Sequence, residues 1–307
     1  MSVKRDRKNF DVADIERRLR ALGSAVGPSV LEPTQALFAP LHGRGPQPGV
    51  AIARDLSYGP DPRNRLDVFA PEQPGGAGKR PVLLFVHGGG FSGGDKTLPG
   101  MPFYDNIGLW AVENGMVGVT MTYRLAPEHP WPAAAQDVGR AVAWAREHSA
   151  DHGGDPARVF LMGHSAGAAH AAAYAARPEF HGARGHGLAG VILVAGLYNI
   201  ASTERNPVIE RYYGSRPEVY AERSAVPQLR AIKLPVMIAV GEAEPADFQR
   251  QALELLRTVF DRDGRMPRFA VLYGHNHYSE IMAFNLPYHA DLARHIVDFV
   301  NIDCAAR

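Results

Sequence analysis

A chain of 307 residues with 46% hydrophobic and 21% charged residues has an ordinary globular composition, which excludes disordered, collagen-like and solenoid classes. The net charge is +1, and the basic residues are scattered apart from Lys4, Arg5, Arg7 and Lys8 and from Arg17, Arg18 and Arg20, so no sustained basic face is available to nucleic acid. The N-terminus lacks a signal-type apolar stretch, no apolar run can span a bilayer, and the single cysteine, Cys304, cannot close an intrachain disulfide, so the expectation is a cytoplasmic protein without a membrane partner.

The first periodic segment is 11–22, where Val12, Ile15, Leu19 and Leu22 share one helical face and Gly23 supplies a stop. An amphipathic helix is predicted there. Pro28, Pro33, Pro40, Gly43, Gly45, Pro46 and Pro48 then argue for irregular structure, so residues 1–48 are read as an N-terminal cap segment and 49–307 as one core domain. Residues 50–58 and 65–69 read as two edge strands joined by the turn-rich 59–64. The apolar run at 81–87 has strand length and no alternation, as a strand covered on both faces requires. Similar runs recur at 116–122, 158–162, 190–195, 235–240 and 269–273, with helical stretches near 133–149, 166–176, 246–260 and 287–300. Alternation of this kind predicts an α/β fold, a mostly parallel sheet of eight strands with helices on both faces. Residues 197–230 break the rhythm with Tyr198, Tyr212, Tyr213, Tyr220 and several prolines, and read as a helical cap insertion.

Chemistry concentrates at the ends of these strands. Gly163, His164, Ser165, Ala166 and Gly167 (GHSAG) follow one strand and open an alanine-rich helix, the strand–turn–helix setting of a nucleophile elbow. A chance match in a glycine-rich chain would lack that setting. His87 to Phe91 (HGGGF) follow another strand, and consecutive glycines let backbone N–H groups face a cavity. Gly88, Gly89 and Ala166 are the expected oxyanion donors. A phosphate cradle would instead need a lysine at P-loop spacing, which is missing. The segment GHNHYSE offers His275 and His277 as bases, and H-x-H could also bind metal, but no third ligand stands at a sensible spacing. An acid preceding the base in chain order could be Glu242, Glu244 or Asp247 in GEAEPAD.

HGGGF, YRLAPEHPWPAA (123–134) and GHSAG together resemble the hormone-sensitive-lipase-like branch of the carboxylesterases, over about residue 81 to the end. GEAEPADFQRQ and NHYSE are similar to arylformamidases and to acetyl and feruloyl esterases. The resemblance implies an α/β-hydrolase fold and an acyl-enzyme mechanism with Ser165 as nucleophile, His277 as base and Glu244 as acid. Most relatives carry Asp at the position of Glu244, which leaves Asp247 open as the alternative. Phe91, His164, Tyr198 and Tyr278 are assigned to substrate contact. Arg124 and His129 are expected to order their loop, and His170 to pack. The implied partner is a small-molecule ester or acyl substrate, with no cofactor and no metal, and a homodimer is compatible. An amidase or arylformamidase would use the same residues. A ligand receptor resembling the plant gibberellin receptors would have lost the base, whereas His277 is present.

Overall fold

Residues 11–43, 47–73, 80–183 and 185–303 are described by the computed structural model; Lys4, Arg5, Arg7, Lys8 and Cys304 lie outside the described residues. In chain order the elements are α1 (Val12–Leu22), α2 (Pro28–Phe38), β1 (Val50–Ser57), β2 (Arg65–Pro71), β3 (Arg80–Val86), α3 (Asp105–Glu113), β4 (Val117–Met121), α4 (Ala133–His148), β5 (Gly154–His164) and α5 (Ala166–Ala176). They continue with β6 (Gly190–Val194), α6 (Pro207–Tyr213), α7 (Tyr220–Arg223), α8 (Val226–Leu229), β7 (Val236–Ala243), α9 (Ala246–Asp263), β8 (Arg268–Asn276), α10 (Ser279–Met282) and α11 (Ala290–Asp298). The eight strands form one sheet in the order β1-β2-β4-β3-β5-β6-β7-β8. β1 and β2 pair antiparallel, β2 meets β4 antiparallel, and every later pair is parallel.

Period-two alternation divides the strand side chains between two cores. On β3, Val82, Leu84 and Val86 join the core beneath α4, α5 and the 197–230 segment, while Leu83 and Phe85 join the core beneath α1, α3 and α11. A strand buried on both faces reads as a continuous apolar run, which is why β3, β4 and β6 were legible.

Two expectations need correction. β2 is not an edge strand: it lies between β1 and β4, and Leu66, Val68 and Phe69 are buried. The proline-rich stretch before residue 48 contains the helix α2, because Pro28 stands in its first turn, where a missing N–H costs nothing. The segment also packs on the core. Ile15, Leu19, Leu37 and Phe38 belong to the second core, and Thr34 Oγ1 receives a hydrogen bond from the Asn276 amide at 3.1 Å, next to His277.

Three buried histidines set an acid limit on stability. Burial holds His87 and His170 down to about 3 and His275 down to about 4, against an ordinary value of 6.5. Each is neutral in the fold and takes up a proton on unfolding. Their contribution is therefore complete above about pH 6.5 and is lost as the pH falls through about 4 for His275 and about 3 for His87 and His170. The melting temperature, followed by circular dichroism, is expected to drop over that window. His170 lies among Phe91, Tyr123 and Tyr212, so His170→Phe should make the drop shallower. An unchanged slope in that variant would show that His170 does not contribute.

Candidate active site

The site is built at the carboxyl ends of β3, β5, β7 and β8. β5 ends at His164, α5 begins at Ala166, and Ser165 bridges them at φ 56° and ψ −124°, a backbone conformation rare for a residue with a Cβ. Its N–H donates to Val194 O at 3.0 Å, which ties the turn to β6. The tight turn needs small neighbours: a Cβ on Gly167 would come within 2.2 Å of Val86 O, and one on Gly163 within 2.4 Å of Gly167 O. The result is a serine hydroxyl held half-exposed above the sheet.

His277 follows β8 and Glu244 follows β7, and the two strands are neighbours. His277 Nε2 lies 2.9 Å from Ser165 Oγ, and His277 Nδ1 lies 2.8 and 3.0 Å from the two carboxylate oxygens of Glu244. An Nδ1–H donated to the carboxylate leaves Nε2 unprotonated, an acceptor for the Ser165 proton. Both His277 and Glu244 are buried, so water does not dilute the interaction. Such a line can deprotonate a serine as it attacks a carbonyl.

The competing groups are engaged elsewhere. Asp247 stands in the first turn of α9, after Pro245 at the cap rather than at the cap itself, where it accepts from Glu204 N at 3.2 Å and from Arg250 at 3.1 Å. Glu242 is exposed and accepts from Gly274 N at 2.9 Å. His275 pairs with Ser279 Oγ at 3.1 Å and faces Tyr288. Among the described residues no group of three or more His, Cys, Asp or Glu is arranged to hold a metal ion.

The glycine loop after β3 passes directly beside the serine: a Cβ on Gly88 would lie 3.0 Å from Ser165 Cβ. Among the described residues, the N–H groups of Gly88, Gly89 and Ala166 meet no protein acceptor. Arg124 binds Asp137 through its backbone N–H at 2.9 Å and its guanidinium at 3.0 Å, and His129 lies 3.8 Å from Asp61; both order their loop.

Of the residues assigned to substrate contact, three are occupied by packing. Phe91 is buried and stacks on Tyr212, with centroids 4.9 Å apart. Tyr198 is buried, and its hydroxyl accepts from Gly196 N at 2.9 Å. His164 is buried, and its Nε2–H donates to the His277 carbonyl at 2.8 Å, while burial and the nearby His277 hold it well below the usual histidine range. It props the base from below. Tyr278 alone is partly exposed, edge-on to His277 at 5.1 Å. Two neighbours escaped the sequence reading. Phe248 on α9 lies edge-on to His277 at 4.9 Å, and exposed Val208 on α6 sits 3.3 Å from where a Gly90 Cβ would stand. Phe248 was findable, since it follows the acid by four residues; Val208 carries no chemical signal.

A mostly parallel sheet that presents a strained serine turn, an adjacent histidine and a glycine loop at its strand ends defines an α/β hydrolase. The chain belongs to the alpha/beta hydrolase fold family, whose pattern matches residues 83–254. It is 28% identical over 252 residues to the esterase LipQ of Mycobacterium tuberculosis, covering 76% of this chain and 58% of LipQ. It is 29% identical over 231 residues to the esterase LipC of the same organism, covering 67% of this chain and 55% of LipC. The chain thus spans little more than half the length of these curated relatives. Among solved structures it resembles esterase B of Lactobacillus rhamnosis, with a TM-score of 0.73 at 18% identity, covering 96% of this chain and 97% of that one. It also resembles an esterase of Pyrobaculum calidifontis, with a TM-score of 0.68 at 19% identity, covering 96% and 98%. Those two likenesses concern the fold. Among the described residues, no helix is long and apolar enough to cross a membrane.

Proposed function

We propose that this chain is a serine hydrolase that cleaves small carboxylic esters through an acyl-enzyme. The observation that carries the reading is the unbroken line from Ser165 Oγ through His277 to Glu244, with contacts of 2.9 and 2.8 Å. Ser165 attacks the ester carbonyl as His277 takes its proton. Glu244 fixes the imidazole and stabilises the imidazolium, and the N–H groups of Gly88, Gly89 and Ala166 receive the oxyanion. His277 then passes its proton to the leaving alcohol, and water, deprotonated by the same base, releases the acid. The esterase names of the curated relatives support ester over amide as the substrate class. Val208 and Phe248 form walls near the reacting centre, and the 197–230 segment serves as the cap.

Hydrolysis of nitrophenyl acetate, butyrate and octanoate, set beside N-formylkynurenine, tests the reading. Turnover of the short esters is expected to exceed that of the formamide. A formamide-only activity, or no ester turnover by the folded protein, would overturn the substrate class. The cap assignment predicts that Val208→Trp raises KM for the longer esters and leaves the melting temperature within a degree or two, because Val208 is exposed. An unchanged ester profile would remove Val208 from the wall.

A further inference from the structure

One turn beyond His277, α10 carries a carboxyl group that the mechanism above does not use. Glu280 is completely buried, and among the described residues neither of its oxygens makes a well-formed hydrogen bond; the backbone donor that acts on the carboxyl is Gly241 N–H, which a protonated carboxyl can accept on its carbonyl oxygen. An ionised carboxylate in that position is strongly disfavoured. The groups facing it come from every neighbouring element. From the β7–α9 loop comes Glu244, close enough for its carboxyl to act directly on that of Glu280. From β5 comes His164, with Nε2 at 3.7 Å, but its proton is given to the His277 carbonyl at 2.8 Å. From β7 comes Gly241, where a Cβ would stand 2.6 Å from Glu280 Oε1, so the missing side chain is what admits the carboxyl. Buried Tyr198 is within reach of its charge, and among the described residues no lysine or arginine acts on it.

Two carboxylates in contact repel, whereas a carboxylic acid and a carboxylate form a short, strong hydrogen bond. Glu244 is the member that keeps the charge, because it already accepts the His277 Nδ1–H. We propose that Glu280 is a positioning residue that stays protonated and donates its carboxyl O–H to Glu244, fixing the carboxylate that orients His277. This rests on the reading of Ser165, His277 and Glu244 as the hydrolytic machinery. Burial first, and the Glu244 charge second, hold the Glu280 carboxyl well above the usual range. No bond to substrate is involved: Glu280 acts through Glu244.

The test compares Glu280→Leu and Glu280→Gln on nitrophenyl acetate, with kcat, KM and the pH dependence of kcat/KM. Loss of the donor in Glu280→Leu is expected to lower kcat roughly ten- to a hundredfold with KM little changed. Glu280→Gln keeps an uncharged donor, so it should restore most of kcat and leave the acid limb of kcat/KM in place. If Glu280 were ionised, Glu280→Gln would remove a negative charge beside His277 and move that limb down by about one unit or more, which overturns the proposal. Wild-type kcat in folded Glu280→Leu also overturns it. A second readout does not need activity. With its pKa raised in the fold, Glu280 favours the folded state fully below the ordinary carboxyl pKa, and this is lost as the pH rises and the unfolded chain ionises. The melting temperature of Glu280→Gln relative to the parent should therefore rise from about pH 4 to about pH 8; a constant difference overturns protonation, and this readout decides the matter should Glu280→Leu fail to fold. Ser165→Ala run in parallel separates the two levels. An active Ser165→Ala overturns the hydrolase reading, while an inactive one beside unaffected Glu280 variants overturns only this inference.

Discussion

Ser165→Ala is expected to lower kcat for a nitrophenyl ester by about six orders of magnitude. Only the hydroxyl is lost, and among the described residues its partner is His277 Nε2 at 2.9 Å. Alanine keeps the Cβ, so the strain of φ 56° remains and the fold and melting temperature should be nearly those of the parent. Ser165→Gly gives the complementary result. Glycine tolerates this backbone region without the roughly 1–3 kcal/mol penalty of a side chain. Ser165→Gly should therefore be as inactive as Ser165→Ala yet melt at a higher temperature. Equal melting temperatures for the two variants would show that the elbow stores no strain at this residue.

Glu244→Gln is expected to cost up to about four orders of magnitude in kcat, because an amide neither selects the His277 tautomer nor stabilises the imidazolium. Asp247→Asn should behave differently. Asp247 accepts from Glu204 N and Arg250 in the first turn of α9, with no bond to His277. Its replacement weakens a helix start and a loop contact, worth about 1 kcal/mol of stability, and leaves kcat within a few-fold. Steady-state kinetics and thermal melts on both variants decide the matter. If Asp247→Asn were the inactive enzyme and Glu244→Gln the active one, the acid would have to be reassigned.

The strands and the reacting residues were legible because their signals are local. Continuous apolar runs mark β3, β4, β6 and β7, and GHSAG by itself places Ser165 at a strand–helix junction. Other features depended on contacts distant in sequence. α3 is not among the predicted helices, and its Gly108 has a role only the packing reveals: a Cβ there would fall 2.3 Å from the Phe69 ring, so the glycine is what lets the helix lie on β2. α2 was read as irregular because prolines count against a helix unless their position within it is known. Chain order alone could not choose among Glu242, Glu244 and Asp247, and the choice of Glu244 came through family likeness; only the structure shows which carboxyl reaches His277. Tyr198 and Phe91 were assigned to substrate by residue type, whereas their burial follows from how α6 and the 197–230 segment close over them. Glu280 stands in the sequence only as the last residue of NHYSE, without a role of its own, since a glutamate in a short helix reads as a surface residue until its neighbours are known.

The central claim is that Ser165 is the nucleophile that becomes acylated. A fluorophosphonate forms a stable covalent adduct with such a serine. Peptide mapping of the fully inhibited protein by mass spectrometry is predicted to place one adduct per chain on Ser165, with none formed in Ser165→Ala. An adduct on another residue, or complete inhibition with Ser165 unmodified, would contradict it.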